Sequence, residues 1–364
     1  MRGKGLEITF AAVGIDAATA EPSLTEKILQ SSIFNKMENI KQFPDVMAGK
    51  KVMYVHGFGS SAQSGTVRRL RQVFCNAEVI AEDMPLHPQE AIDLLHQLCD
   101  EHHPNLIIGT SMGGMYTEML YGYDRIIINP AFQLGDTMVA HGMTGAQTYQ
   151  NPRKDGVQDF IVTKALVKEY RDITTHCFSD VTDEERGRVW GLFGDADTLV
   201  DTFDLFRQHY PTAIPFHGEH RMDDRSYMHA VMPVVRWIDD RQERRERPVI
   251  FISYSSVADQ RGMPRSSCQK AFRHLIERYQ VYFVVDADYH NRLTMPEAQQ
   301  WLWQAFDAPA YNHVMFTCQR HLLYGDFLID TIPCDEFLGT VIQLGTGDFK
   351  SWEDIIVYFD RLGI

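Results

Sequence analysis

Leu106-Ile107-Ile108-Gly109-Thr110-Ser111-Met112-Gly113-Gly114 joins a short apolar run to a serine flanked by glycines. Three consecutive apolar residues read as a strand buried on both faces. The stretch 112–120 reads as the helix that follows. A serine between a buried strand and a helix, with glycine two residues to either side, matches G-x-S-x-G at a tight strand-to-helix turn. Such a turn strains its backbone. Side chains at Gly109 and Gly113 would collide there, so glycine has a steric reason at both positions. The helix opening at Met112 also turns backbone N–H groups toward the serine. The plainer alternative is a glycine-rich turn whose serine only caps the helix.

Outward from this turn, the same alternation continues in both directions. Strands are expected at 52–55, 77–81, 106–108, 125–128, 189–193 and 213–216. Helices are expected at 64–74, 88–101, 199–209 and 227–238, where apolar residues fall at helical spacing and Pro88 opens the second. Buried strands alternating with helices imply an α/β fold, a mostly parallel sheet covered by helices on both faces. The alternation lapses over 131–188. Its polar, glycine-containing part reads as a lid or insertion over a site, or as a surface excursion with a helix or two. The mixed charge run 239–248 reads as a solvated helix end, and 241–248 as a linker. From Val249 a second, smaller α/β unit begins. Its strands are expected at 249–252, 281–285, 313–317, 326–330 and 340–344, and its helices at 266–279, 296–306 and 351–362. The organisation read is a leader at 1–49, a first domain at 50–240 and a second at 249–364.

A nucleophilic serine needs a base to take its proton, and the base needs an acid to orient it. The strand at 189–193 ends in Gly194-Asp195-Ala196-Asp197-Thr198-Leu199-Val200-Asp201. The strand at 213–216 ends in His217-Gly218-Glu219-His220. Both loops leave the carboxyl ends of strands, where open α/β sheets carry their sites. The order serine, acid, histidine is that of the α/β-hydrolases. Asp197 is the expected acid, with Asp195 and Asp201 competing. His220 is the expected base, with His217 and His229 competing. An oxyanion hole needs two backbone donors. Met112 supplies one, and Phe58 in His56-Gly57-Phe58-Gly59-Ser60 the other. Gly57 and Gly59 let that loop approach closely, and His56 reads as structural. No metal site is expected.

At this point a resemblance enters. Val55-His56-Gly57-Phe58-Gly59-Ser60-Ser61, Gly109-Thr110-Ser111-Met112-Gly113-Gly114, Ile128-Asn129-Pro130-Ala131, Phe193-Gly194-Asp195 and Gly218-Glu219-His220 resemble, in order, the YqiA-type bacterial esterases of the α/β-hydrolase superfamily. The resemblance spans about 50–240. It implies a serine hydrolase of carboxylic esters or thioesters, with no cofactor. The second unit is similar to the HAD-superfamily pyrimidine deoxyribonucleotidases through Tyr324-Gly325-Asp326-Phe327-Leu328-Ile329-Asp330, Phe337-Leu338-Gly339-Thr340 and Phe349-Lys350-Ser351-Trp352. Those enzymes need two aspartates at the end of the first strand, where this chain has Phe251-Ile252-Ser253-Tyr254-Ser255-Ser256. Arg320 stands where the family has a lysine, and Thr331 replaces a closing acid. Without the acids there is no phosphoryl acceptor and poor Mg²⁺ binding. The expectation is a Rossmann-like domain that has lost its chemistry. Dimerisation, or covering the first unit, is the role then open to it. Phosphatase activity there, and a non-catalytic scaffold, are the alternatives to the esterase reading.

Composition narrows the field. In 364 residues, 44% are hydrophobic and 23% charged, enough apolar sequence to build cores rather than a disordered chain. The net charge of -14, with no basic tract, argues against nucleic-acid partners. The expected partner is a small-molecule ester or thioester. No apolar run approaches the ~18 residues of a membrane span. Six scattered cysteines without a CxxC pair read as reduced thiols, hence a cytoplasmic location. At the N-terminus, residues 8–15 are apolar but bracketed by Glu7 and Asp16. They read as a leader before a helix at 24–37 rather than as a signal core.

Overall fold

The computed structural model describes residues 41–287 and 294–363. The expected leader helix and the apolar run before it lie outside the described residues. Strands β1 (Lys51–Val55), β2 (Glu78–Ile80), β3 (Leu106–Thr110), β4 (Arg125–Ile128), β7 (Val189–Gly194) and β8 (Ala213–Phe216) form a six-stranded sheet in the order β2-β1-β3-β4-β7-β8. Every neighbouring pair is parallel. The inner strands β1, β3, β4 and β7 are apolar runs because both of their faces are buried, and β4 is buried at all four positions. The chain runs from β1 outward to β2, then crosses back to β3. The strand order therefore reverses beside β1 and β3, and the crevice at their carboxyl ends is where such sheets bind. The register Val55↔Gly109 and Thr110↔Ile128 brings three of these ends level.

Local chemistry sets the helix boundaries. Ser64 caps Gly65–Val73 by accepting from Val67 N. Pro88 opens Pro88–His102, where its missing N–H costs nothing. The helix expected at 199–209 begins only at Phe203. The Asp197 side chain takes the amides of Leu199 and Val200 and holds those residues in a turn. The expected 227–238 helix opens with a π turn, Tyr227–Val231, and continues as Met232–Glu243. Pro233 has no N–H to give the preceding turn, which accounts for the wider ring there. The end of that helix is pinned by ion pairs. Lys50 lies 2.7 Å from Asp239, and Arg245 lies 2.8 Å from Asp240.

The 131–188 stretch holds Leu134–Ala140, Lys164–Thr174, Asp183–Arg186 and an antiparallel hairpin of β5 (Gly145–Thr148) and β6 (Asp159–Val162). The hairpin left little trace in the sequence because β5 is polar and mostly exposed. Strands β9 (Val249–Ser253), β10 (Gln280–Asp286), β11 (Val314–Thr317), β12 (Phe327–Asp330) and β13 (Thr340–Gln343) form a second parallel sheet, in the order β11-β10-β9-β12-β13. Capping boxes open Met295–Phe306 at Thr294 and Glu297, and Trp352–Leu362 at Ser351 and Asp354. No helix among the described residues is long and apolar enough to cross a membrane.

Candidate active site

Ser111 sits between β3 and the helix Met112–Glu118 at φ 56° and ψ -116°. A serine in this region stores on the order of 1–3 kcal/mol of strain and persists only where its surroundings fix it. Here they do. Ser111 N donates to Ile128 O at 2.9 Å, and Ser111 O accepts from Met115 N and Ala131 N, each at 3.1 Å. The flanking glycines are sterically required. A Cβ at Gly109 would overlap Thr117 Oγ1 and Gly113 O, and one at Gly113 would overlap Val55 O.

His220 Nε2 lies 3.0 Å from Ser111 Oγ, and His220 Nδ1 lies 2.7 Å from Asp197 Oδ2. The other Asp197 oxygen accepts from Leu199 N at 2.8 Å and Val200 N at 3.0 Å. The Asp197 side chain is 3% exposed, so water does not compete for it. Burial alone would raise its pKa. The hydrogen bond from His220 and the two amides outweigh burial and hold the carboxyl below its usual value. The carboxylate therefore stays charged, fixes the Nδ1–H tautomer of His220 and leaves Nε2 to accept from the serine.

The competing residues go elsewhere. Asp195 pairs with His217 at 2.7 Å and accepts from Gly218 N, and the His217 ring lies 4.5 Å from that of Trp303. Asp201 is exposed, and His229 lines a separate cavity. Two acid–histidine pairs on the same two loops explain why Asp195 competes with the expected Asp197 in the sequence. Asn129 went unweighed as a site residue, yet it ties these loops together. Its Nδ2 donates to Glu219 O at 3.0 Å and His220 O at 3.1 Å, and its Oδ1 accepts from Gly194 N at 2.7 Å. It is buried at a positive φ of 44°, a conformation asparagine tolerates better than most residues.

The loop after β1 passes beside the serine. A Cβ at Gly57 would stand 3.3 Å from Ser111 Cβ, so only glycine leaves room for a reacting group between them. Phe58 follows, with its ring edge-on to Phe160 at 5.4 Å and to Tyr170 at 6.1 Å. Met112 opens its helix, so its N–H is one of those the helix itself cannot satisfy. His56 is 2% exposed, contacts Gly57 O through Nδ1 and accepts from Met84 N through Nε2. Burial pushes its pKa down, and both ring nitrogens are committed to backbone. The β5–β6 hairpin reaches over this loop. Gln150 N donates to Gly59 O at 2.8 Å, and Arg221, next to His220, donates to Gln150 Oε1 at 2.9 Å.

At the carboxyl end of the second sheet the chemistry differs. Ser253 is fully buried and bonds Asp330 Oδ1 at 2.9 Å and Ser256 Oγ at 2.8 Å. Thr331 Oγ1 bonds Ser255 Oγ at 2.9 Å. The Arg320 guanidinium bridges Asp330 and Asp286. Asp326 accepts from Val249 N, a structural bond at the start of β9.

Among solved structures, the chain is similar in outline to three proteins. Est1E from Butyrivibrio proteoclasticus is 15% identical, with TM-score 0.37, over 56% of this chain and 91% of that one. The esterase domain of a Rhodothermus marinus protein is 15% identical, with TM-score 0.36, over 55% and 90%. The thioesterase domain from the curacin biosynthetic pathway is 14% identical, with TM-score 0.32, over 54% and 92%. A Vibrio phage KVP40 protein carrying the provisional name 5'(3')-deoxyribonucleotidase is 24% identical over 98 residues. The match covers 26% of this chain and spans 58% of that relative's length. Residues 51–229, from β1 into the π turn and including Ser111, Asp197 and His220, match the model of the uncharacterised protein family UPF0227, which is where the YqiA-type resemblance pointed.

Proposed function

We propose that the chain is a serine hydrolase of carboxylic esters or thioesters. The observation that carries this reading is the continuous hydrogen-bond path from Ser111 Oγ through His220 to Asp197, with the serine held on a strained turn. Ser111 Oγ attacks the substrate carbonyl while His220 Nε2 takes its proton. Charge develops on the carbonyl oxygen, and the N–H groups of Met112 and Phe58 are the donors that receive it. His220 then protonates the leaving alcohol or thiol, and an acyl group remains on Ser111. A water molecule, deprotonated by the same histidine, attacks the acyl-enzyme and restores the serine. Asp197 stays ionised throughout and stabilises the histidine when it is charged.

The aromatic group of Phe58, Phe160 and Tyr170 beside Met112 supports an apolar acyl group lying under the hairpin. The second sheet is read as non-catalytic. Its carboxylates Asp330 and Asp286 are engaged by Arg320, and its serines bond to one another and to Asp330, so among the described residues none there is poised to accept a phosphoryl group. The test is hydrolysis of p-nitrophenyl esters of graded chain length by the wild type and Ser111→Ala. The substitution is expected to lower the rate by roughly 10⁴–10⁶-fold. Equal rates would remove Ser111 as the nucleophile.

A further inference from the structure

A cavity of about 420 Å³ lies where the stretch 217–236, after β8, meets 269–309 of the second sheet's surroundings. Three arginines share its wall: Arg225, Arg236 and Arg273. Arg225 and Arg273 are exposed at its rim, while Arg236 is only 7% exposed. Among the described residues, none of the three has a carboxylate within ion-pair distance. Arg236 is held by a 3.4 Å bond to Ile276 O and by the Phe43 ring, 4.7 Å from its guanidinium. Burying a guanidinium without a matched carboxylate is costly unless another anion compensates it.

Asp307, which lines the same cavity, does not fill this role. Asp307 Oδ1 accepts backbone amides, from His217 at 2.9 Å and Ala308 at 2.8 Å. Burial pushes the Arg236 pKa down, and the charge of Glu277 offsets this only in part. His217 and His229 add ring nitrogens to the wall. Burial opposes the protonation of His217, but its bond to Asp195 and the charge of Asp307 outweigh burial and raise its pKa. A chain of net charge -14 thus keeps a concave, cationic wall at one place. The rest of the lining sets the apolar Met228, Met232 and Phe306 beside the amides of Gln269 and Gln304.

We infer that this cavity binds a phosphate monoester with an apolar body, its dianionic head against Arg225, Arg236 and Arg273. Phosphate offers three terminal oxygens and nearly two charges, and suits several guanidinium forks better than a carboxylate does. Met228, Met232 and Phe306 take the apolar body of the ligand. The site stands on different residues from the hydrolase reading and does not depend on it. It touches the same loops, however, because His217 bonds Asp195, two residues from Asp197.

The experiment is calorimetric titration of the full chain with phenyl phosphate, beside phenol and benzoate. Saturable binding of phenyl phosphate, one per chain, is expected, with phenol and benzoate at least about tenfold weaker. Arg273→Glu and Arg225→Glu, both at the exposed rim where folding is not at stake, are each expected to weaken binding about tenfold or more. Ser111→Ala should bind as the wild type does, so loss of hydrolysis and loss of binding are read separately. No saturable binding, equal binding of phenol or benzoate, or binding indifferent to both rim substitutions would overturn the inference.

Discussion

Ser111 and Ser253 each stand at the carboxyl end of a parallel sheet in this chain, and of the two only Ser111 has a histidine within hydrogen-bond distance. Ser111 follows β3 at a positive φ, partly open to solvent, with a histidine nitrogen 3.0 Å from its oxygen. Ser253 ends β9 in an ordinary extended conformation, fully buried, with its hydroxyl among Asp330, Ser255 and Ser256. Both positions are where α/β sheets carry chemistry. The difference is in what the neighbouring strands deliver. The loops after β7 and β8 bring an acid and a base to Ser111. The strand ends around Ser253 bring an arginine that neutralises the acids. A fold offers the location, and the residues on its loops decide whether anything happens there.

Four substitutions break or sharpen this contrast. The largest effect is expected for His220→Ala, with a loss of roughly 10⁴-fold or more in p-nitrophenyl ester hydrolysis, because nothing else can take the serine proton. Asn129→Ala should cost less, about 10–100-fold in kcat with KM little changed. It removes the ties that hold the His220 loop to β7 without touching the reacting atoms. Its thermal unfolding should shift only modestly, which separates positioning from collapse.

The third concerns stability rather than rate. His313 lies between the rings of Trp237 and Tyr282, at 4.5 and 5.2 Å, and burial lowers its pKa to about 4. The unfolded chain takes up that proton near pH ~6.5, the native chain only near the lower value. Stability from this residue is therefore complete above the unfolded value and is lost as pH falls toward the folded one. The loss is roughly 2–3 kcal/mol by linkage. Urea titrations of His313→Phe between pH 7 and 4 should show a shallower decline than the wild type. The smallest effect is expected for Ser253→Ala, which should change ester hydrolysis less than about twofold. A large drop there would mean that the second sheet takes part in the reaction.

Much of this was legible in the sequence, and the gaps have physical reasons. The strands around Ser111 are apolar runs with glycine punctuation, so pattern alone located them and the turn between them. The acid was narrowed to Asp197, with Asp195 and Asp201 competing, and pattern alone went no further. Asp195 and Asp197 each find a histidine, and only the path of the loop shows which pair meets the serine. Asn129 was invisible as a positioning residue because its three bonds join loops about 65 and 90 positions away. The hairpin at 145–162 escaped notice because both strands are only four residues long, β5 is polar and mostly exposed, and β6 hides its exposed–buried alternation behind the apolar but exposed Ile161. The cavity wall of Arg225, Arg236 and Arg273 is drawn from the helical turn Asp224–Ser226 and the helices Met232–Glu243 and Cys268–Leu275, and no local pattern marks it.

The central claim is that Ser111, and not Ser253, is the nucleophile. The most direct measurement treats the full chain with a fluorophosphonate and maps the adduct by mass spectrometry. One adduct on the peptide bearing Ser111, absent in Ser111→Ala and strongly slowed in His220→Ala, is the predicted result. An adduct on Ser253, or a chain left unmodified while it still hydrolyses esters, would contradict the account.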